Sequence, residues 1–143
     1  MIWHKNILAT HFEEQPVALA PYTWPGVHYV GVALPHRKAL GAKVILKYGK
    51  YEVEAVCCDI GPWCLDDSDY VFGESRPRAE IYKGEHCPLN ALSGGHASIP
   101  DGKGGFIEIS KSNGAGIDLM PATARALCIV LNENVYLDWC FAD

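Results

Sequence analysis

The sequence predicts a small, mainly β, barrel-like domain. Short apolar runs of strand length recur along the chain and only residues 121–127 read as a helix. A hairpin is explicit: Val44, Leu46 and Tyr48 alternate before Gly49-Lys50, and Tyr51, Val53, Ala55 and Cys57 alternate after it. Glycine at the first position of a two-residue turn fits type II′, which matches the twist of paired strands. The chain also closes on a half-buried strand, Val135, Leu137, Trp139 and Phe141 alternating with Tyr136, Asp138 and Cys140.

The remaining elements follow in chain order. Thr10 to Phe12 reads as a short first strand, and 13–28, with Pro16, Pro21, Pro25 and Gly26, as loop. Tyr29 to Leu34 is strand-like and Pro35 ends it. The second hairpin strand runs into Asp59-Ile60-Gly61-Pro62-Trp63, where Gly61-Pro62 stops it. Residues 64–105 read as mostly irregular, too long a stretch for an ordinary connection and therefore a functional loop or an insertion. Phe106 to Ile109 and Ile117 to Leu119 read as short strands. Pro121 suits the first turn of the helix that follows.

Composition narrows the function. The chain has 143 residues, 49% hydrophobic and 20% charged, with a net charge of −5, which fits one folded domain. No basic stripe invites nucleic acid. No apolar run approaches the roughly 20 residues of a membrane span. The apolar stretch at residues 1–8 is too short for a Sec signal, which leaves the export route open if the site of action is extracellular or periplasmic. Six cysteines, at 57, 58, 64, 87, 128 and 140, suit a disulfide framework with open pairing or a set of buried thiols. Zinc is disfavoured: no Cys-x-x-Cys pair accompanies His86 and His96, and adjacent Cys57 and Cys58 on a strand point to opposite faces. Asp66, Asp67 and Asp69 lack the glycine and terminal glutamate of a calcium loop and read as a solvated acidic loop. No metal or cofactor is expected.

Two carboxylates stand out. Asp59 ends a strand before a Gly-Pro turn, held on rigid backbone near a barrel mouth. Asp118 lies between apolar Ile117 and Leu119, and burial there would raise its pKa toward that of a general acid. Each also has an ordinary reading, Asp59 as a turn residue and Asp118 as a cap for the helix at Pro121.

Asp59-Ile60-Gly61-Pro62-Trp63, with Gly116-Ile117-Asp118-Leu119 before an alanine-rich helix and Ala33-Leu34-Pro35-His36 upstream, resembles the double-psi β-barrel group. That group includes rare-lipoprotein-A-like lytic transglycosylases, expansins and barwin-like endoglucanases. The resemblance covers about residues 29–63 and 113–141, and more weakly Ala9-Thr10-His11-Phe12. It implies a six-stranded double-psi β-barrel with one or two short helices and an insertion at about 64–112. It implies a monomer that binds and cleaves cell-wall glycan, peptidoglycan above all. Asp59 would be the general acid, Asp118 a second groove carboxylate and His36 a helper. Trp63, Tyr70 and Trp24 are aromatic candidates for stacking on sugar. Met120 stands where the family has a serine cap, and Cys128 where it has glycine.

Two other functions stay open. One is a non-catalytic, expansin-like polysaccharide binder. The other is a Cys-His amidase or endopeptidase, because Gly94-Gly95-His96-Ala97-Ser98-Ile99 resembles the histidine strand of such enzymes and Cys57 or Cys58 would supply the thiol.

Overall fold

A computed structural model describes residues 1–12, 30–87, 98–100, 102–104, 106–108 and 111–142, with side chains left aside at 98–100 and 106–108. Eight strands and three short helices occur among them: β1 (His4–His11), β2 (Gly31–Leu34), β3 (Lys43–Tyr48), β4 (Tyr51–Ile60), α1 (Ser68–Val71), α2 (Arg78–Ile81), β5 (Ser98–Pro100), β6 (Phe106–Glu108), β7 (Ile117–Leu119), α3 (Pro121–Ala126) and β8 (Val135–Phe141). Six of the strands close a barrel in the order β1-β7-β2-β4-β3-β8, while β5 and β6 pair apart from it. The molecule is therefore mainly β around a closed six-stranded barrel. No helix among the described residues is long and apolar enough to cross a membrane.

The barrel has an internal symmetry. Exchange β1, β2 and β3 with β4, β7 and β8, and every pairing maps onto one of the same sense. Parallel β1·β7 becomes parallel β4·β2, antiparallel β1·β8 becomes antiparallel β4·β3, and β2·β7 and β3·β8 map onto themselves. Backbone bonds follow the same rule. Phe12 N–H donates to Leu119 O at 3.0 Å, and its counterpart Gly61 N–H donates to Leu34 O at 3.1 Å.

The hairpin forms as its sequence dictates. Tyr48 faces Tyr51 across Gly49-Lys50, and Gly49 has φ 59°. Val44, Leu46 and Ala55 point into the core with Leu137 and Trp139 of β8. The first strand is longer than its sequence suggests, because Asn6 (φ 52°) and a register shift between His4 and Ile7 break the alternation. Strand β2 is buried along its whole length, with Val32 and Leu34 in the barrel core and Ala33 in an outer cluster with Phe12, Cys58 and Met120. Gly31 permits that layering, since a Cβ there would stand 2.7 Å from Cys58 Sγ and 2.8 Å from Met120 Sδ. Thr123 of α3 donates its hydroxyl to Gly31 O at 2.6 Å, fixing the helix over β2.

Residues 64–87 are more ordered than an irregular loop, and they complete the core. Tyr70 and Val71 of α1 are buried in the barrel cluster. The Tyr70 hydroxyl donates to Gly116 O at 3.0 Å and accepts from Trp139 Nε1 at 2.8 Å. Gly116 is required there, because a Cβ would lie 2.9 Å from that hydroxyl and 2.7 Å from Pro77. His4 packs on the same group, stacked on Trp139 at 4.1 Å and edge-on to Tyr70. The acidic-loop expectation is corrected at Asp67, which is buried and accepts the Arg78 N–H at 2.6 Å. Burial raises its pKa, against the bonds from Arg78 and Tyr70 backbone.

Two predictions follow from the packing. Met120 caps α3 without a side-chain bond, so Met120→Ser would supply a cap worth about 1 kcal/mol. It would also empty a fully buried site between Cys58 and Gly31, at a cost of about 2–5 kcal/mol. The cavity wins, and urea unfolding of Met120→Ser should show a net loss. His4 is held neutral: burial first, then Arg76, push its pKa down to about 4, opposed by a bond with the Val71 backbone. The unfolded histidine takes up its proton near pH 6.5 and the folded one only near pH 4. Stability is thus fully present above pH 6.5 and is lost as pH drops toward 4. His4→Phe should flatten that part of the stability–pH curve.

Candidate functional site

The site lies where the two halves of the barrel meet. Four residues form one row across neighbouring strands: Thr10 (β1) beside Asp118 (β7), Asp118 beside Ala33 (β2), and Ala33 beside Asp59 (β4). Residues directly opposite in a sheet project from the same face. This face is the outer one, since Ala9, Ile117, Leu119, Val32 and Leu34, the neighbours of these residues along their strands, point into the core.

Asp59 reaches that face through a bulge. Val32 pairs with Cys57, but the next residue, Ala33, pairs with Asp59, so Cys58 is an extra residue in β4. Strict alternation from Ala55 and Cys57 would carry Asp59 inward; one inserted residue turns it outward. The chain then folds back through the cis Gly61–Pro62 peptide. A Cβ on Gly61 would stand 3.7 Å from both the Ala33 methyl and Asp118 Oδ2, so this turn roofs the row closely.

Between these walls is a cleft of about 180 Å³ lined by Thr10, His11, Phe12, Ala33, Asp59 to Trp63, Asn113 and Asp118. Asp118 is only 9% exposed, and its Oδ1 accepts a short hydrogen bond from the Thr10 hydroxyl. Asp59 and Asp118 flank Ala33 two strand spacings apart, so their Cα atoms are about 10 Å apart, with Ala33 buried between them beneath the Gly61 turn. Trp63 is 7% exposed and donates Nε1–H to Asn113 Oδ1 at 2.8 Å, so it presents an edge of the wall rather than an open face. Among the described residues, no lysine or arginine lines the cleft.

Asp59, Asp118 and Trp63 are thus brought together, as the sequence motif suggested, and other candidates are not. His36 does not line the cleft. Its Nδ1 accepts the Lys38 N–H at 3.1 Å, capping the turn at Arg37–Ala39, and its Nε2 faces Asp66 Oδ1 at 3.5 Å. Tyr70 is corrected from a sugar-stacking candidate to a core residue, since a fully buried ring offers no face to a polymer. Trp24 lies outside the described residues, as does His96. Cys57 and Cys58 are buried, and burial pushes both thiols up to about 12. A nucleophilic thiolate needs the opposite environment. Cys64 and Cys87 form a disulfide, with Cα atoms 5.4 Å apart. No group of three potential metal ligands occurs among the described residues.

Thr10, His11 and Asn113 are cleft residues that sequence reasoning passed over. The first strand carries Thr10 and His11, but only the pairing of β1 with β7 brings them to Asp118. His11 Nε2 lies 2.6 Å from Glu133 O, which makes that nitrogen the donor. Its Nδ1 is buried without a hydrogen-bond partner among the described residues.

Compared with models of known protein families and with curated proteins, the chain matches none. Its function rests on the geometry of the cleft and on the motif resemblance.

The Thr10–Asp118 bond is testable. Thr10→Val keeps the shape and removes a donor from a buried carboxylate. It should cost about 1–3 kcal/mol, read by urea unfolding near pH 7. A loss under 0.5 kcal/mol, within the range of an ordinary surface change, would mean that the bond does not hold Asp118 in place.

Proposed function

We propose that the barrel is a double-psi β-barrel and that its cleft binds and cleaves cell-wall glycan, with peptidoglycan as the favoured substrate and Asp59 as the general acid/base. The observation that carries this reading is the row Asp59–Ala33–Asp118 on the cleft floor. The twofold-related strand pairing and the family-like Asp59-Ile60-Gly61-Pro62 and Ile117-Asp118-Leu119 segments support the fold assignment. A narrow cleft with carboxylates, an indole edge and no cationic side chain suits a polyhydroxylated chain better than a polyanion. The Cys64–Cys87 disulfide supports an extracellular or periplasmic site of action.

In this reading Asp59, protonated, donates to the glycosidic oxygen as the C1–O bond breaks. The resulting carboxylate then takes the proton from the C6 hydroxyl of the same sugar as that oxygen closes on C1. A 1,6-anhydro end forms, no water is consumed, and Asp59 regains its proton. Asp118, held by Thr10, shapes the floor and stabilises positive charge developing at C1. His36, away from the cleft, has no part in the step.

The test is a digest of purified peptidoglycan, with chitin and cellulose in parallel, read by mass spectrometry. Wild type should release fragments one water lighter than hydrolysis products. Asp59→Asn should lose this activity by about 10²–10⁴-fold with its melting temperature retained. An active Asp59→Asn protein would overturn the assignment. Hydrated sugar ends would make Asp118 a water-activating base opposite Asp59. Retention on a polymer with no product would identify an expansin-like binder.

A further inference from the structure

One wall of the cleft is not held by the barrel core. Trp63, Cys64, Ala79, Cys87 and Ala115 form a separate buried cluster, with Leu8 and Tyr82 packed against it. Its five members among the described residues include two alanines and two half-cystines, so Trp63 is the one large side chain of that set. Asn113 Oδ1 accepts both Trp63 Nε1–H and the Ala115 N–H, at 2.8 and 2.9 Å. Behind it, Gly84 N–H donates to Ser112 O and Ser112 N–H to Glu85 O, each at 2.8 Å. The Ser112 hydroxyl donates to Ala79 O at 2.7 Å. These bonds tie residues 79–85 to the Asn113 segment. The disulfide is the covalent tie from the Trp63 turn to that bracket.

We propose that the Cys64–Cys87 disulfide is a redox switch for the cleft. Oxidised, it clamps the Trp63–Asn113 wall beside Asp59; reduced, that wall relaxes while the barrel stays folded. The reductant is a dithiol. One of its thiolates attacks a cystine sulfur, giving a mixed disulfide and releasing the other cysteine as a thiolate that takes up a proton. The second thiol of the reductant then closes its own disulfide and frees the second cysteine. Two electrons and two protons have passed to the protein. Both cysteines are buried, so attack follows local opening of the small cluster, which takes less free energy than opening the barrel. The four remaining cysteines, at 57, 58, 128 and 140, form no disulfide among the described residues and lie outside this cluster.

The functional readout rests on the glycan reading; the structural readout does not. Full-length protein is treated with dithiothreitol until the denatured chain shows two additional thiols. The Trp63 indole N–H, assigned by its loss in Trp63→Phe, is followed by NMR, with far-UV circular dichroism and retention on insoluble peptidoglycan measured alongside. Reduction should speed exchange of that indole proton at least tenfold and lower retention at least tenfold, with the β spectrum unchanged. The double variant Cys64→Ser, Cys87→Ser should behave the same way without reductant. Unchanged indole protection after release of two thiols would overturn the switch, as would loss of the whole β spectrum on reduction. If the oxidised protein is not retained on peptidoglycan, the glycan reading fails and the indole proton still decides the switch.

Discussion

The pairing of β2 with β7 is the interaction on which the rest of this structure depends. Two short strands from different halves of the chain meet antiparallel, Val32 opposite Leu119 and Ala33 opposite Asp118. Each then takes a parallel neighbour on its far side, β4 and β1. The residues facing inward from these four strands make the apolar centre of the barrel. The residues facing outward make the floor of the cleft. Core and site are therefore two faces of one sheet, and the register that buries Leu34 and Leu119 also aligns Asp59, Ala33 and Asp118.

That arrangement explains several local choices. Alanine at position 33 lies between the two carboxylates beneath the Gly61 turn. Methionine at 120 gives up a helix cap but fills the layer with Phe12, Ala33 and Cys58 that supports the floor from outside the barrel. Cysteine at 128 accepts the left-handed turn, φ 56°, that follows α3 and that glycine would adopt at less cost. The opposite end of the barrel is closed by a different chemistry, with His4, Tyr70 and Trp139 stacked and hydrogen-bonded into a plug.

Some of the fold was legible because its signals are local. The hairpin around Gly49-Lys50, the last strand and the helix opening at Pro121 each announce themselves by alternation, turn chemistry or a fixed φ. The first strand was cut short because Asn6 breaks its period. The segment after Trp63 looked irregular because α1 and α2 are each four residues long, and the value of Tyr70 lies in contacts with residues far along the chain. At the site, Asp59 and Asp118 were legible from strand ends and apolar neighbours. His36 stands apart from the described cleft lining, because a histidine after Leu34-Pro35 can turn toward the cleft or back onto its own turn, and the bond to Lys38 N–H decides for the latter.

By itself the sequence determined the class of the fold, the positions of most barrel strands and the two carboxylates worth watching, since periodicity and turn residues act over a few neighbours. Only the tertiary structure decided which cysteines are joined, that Cys58 is an inserted residue turning Asp59 outward, and that Thr10, His11 and Asn113 share the cleft. Those outcomes depend on register between strands and loops distant in sequence, and no local pattern encodes a register between distant segments.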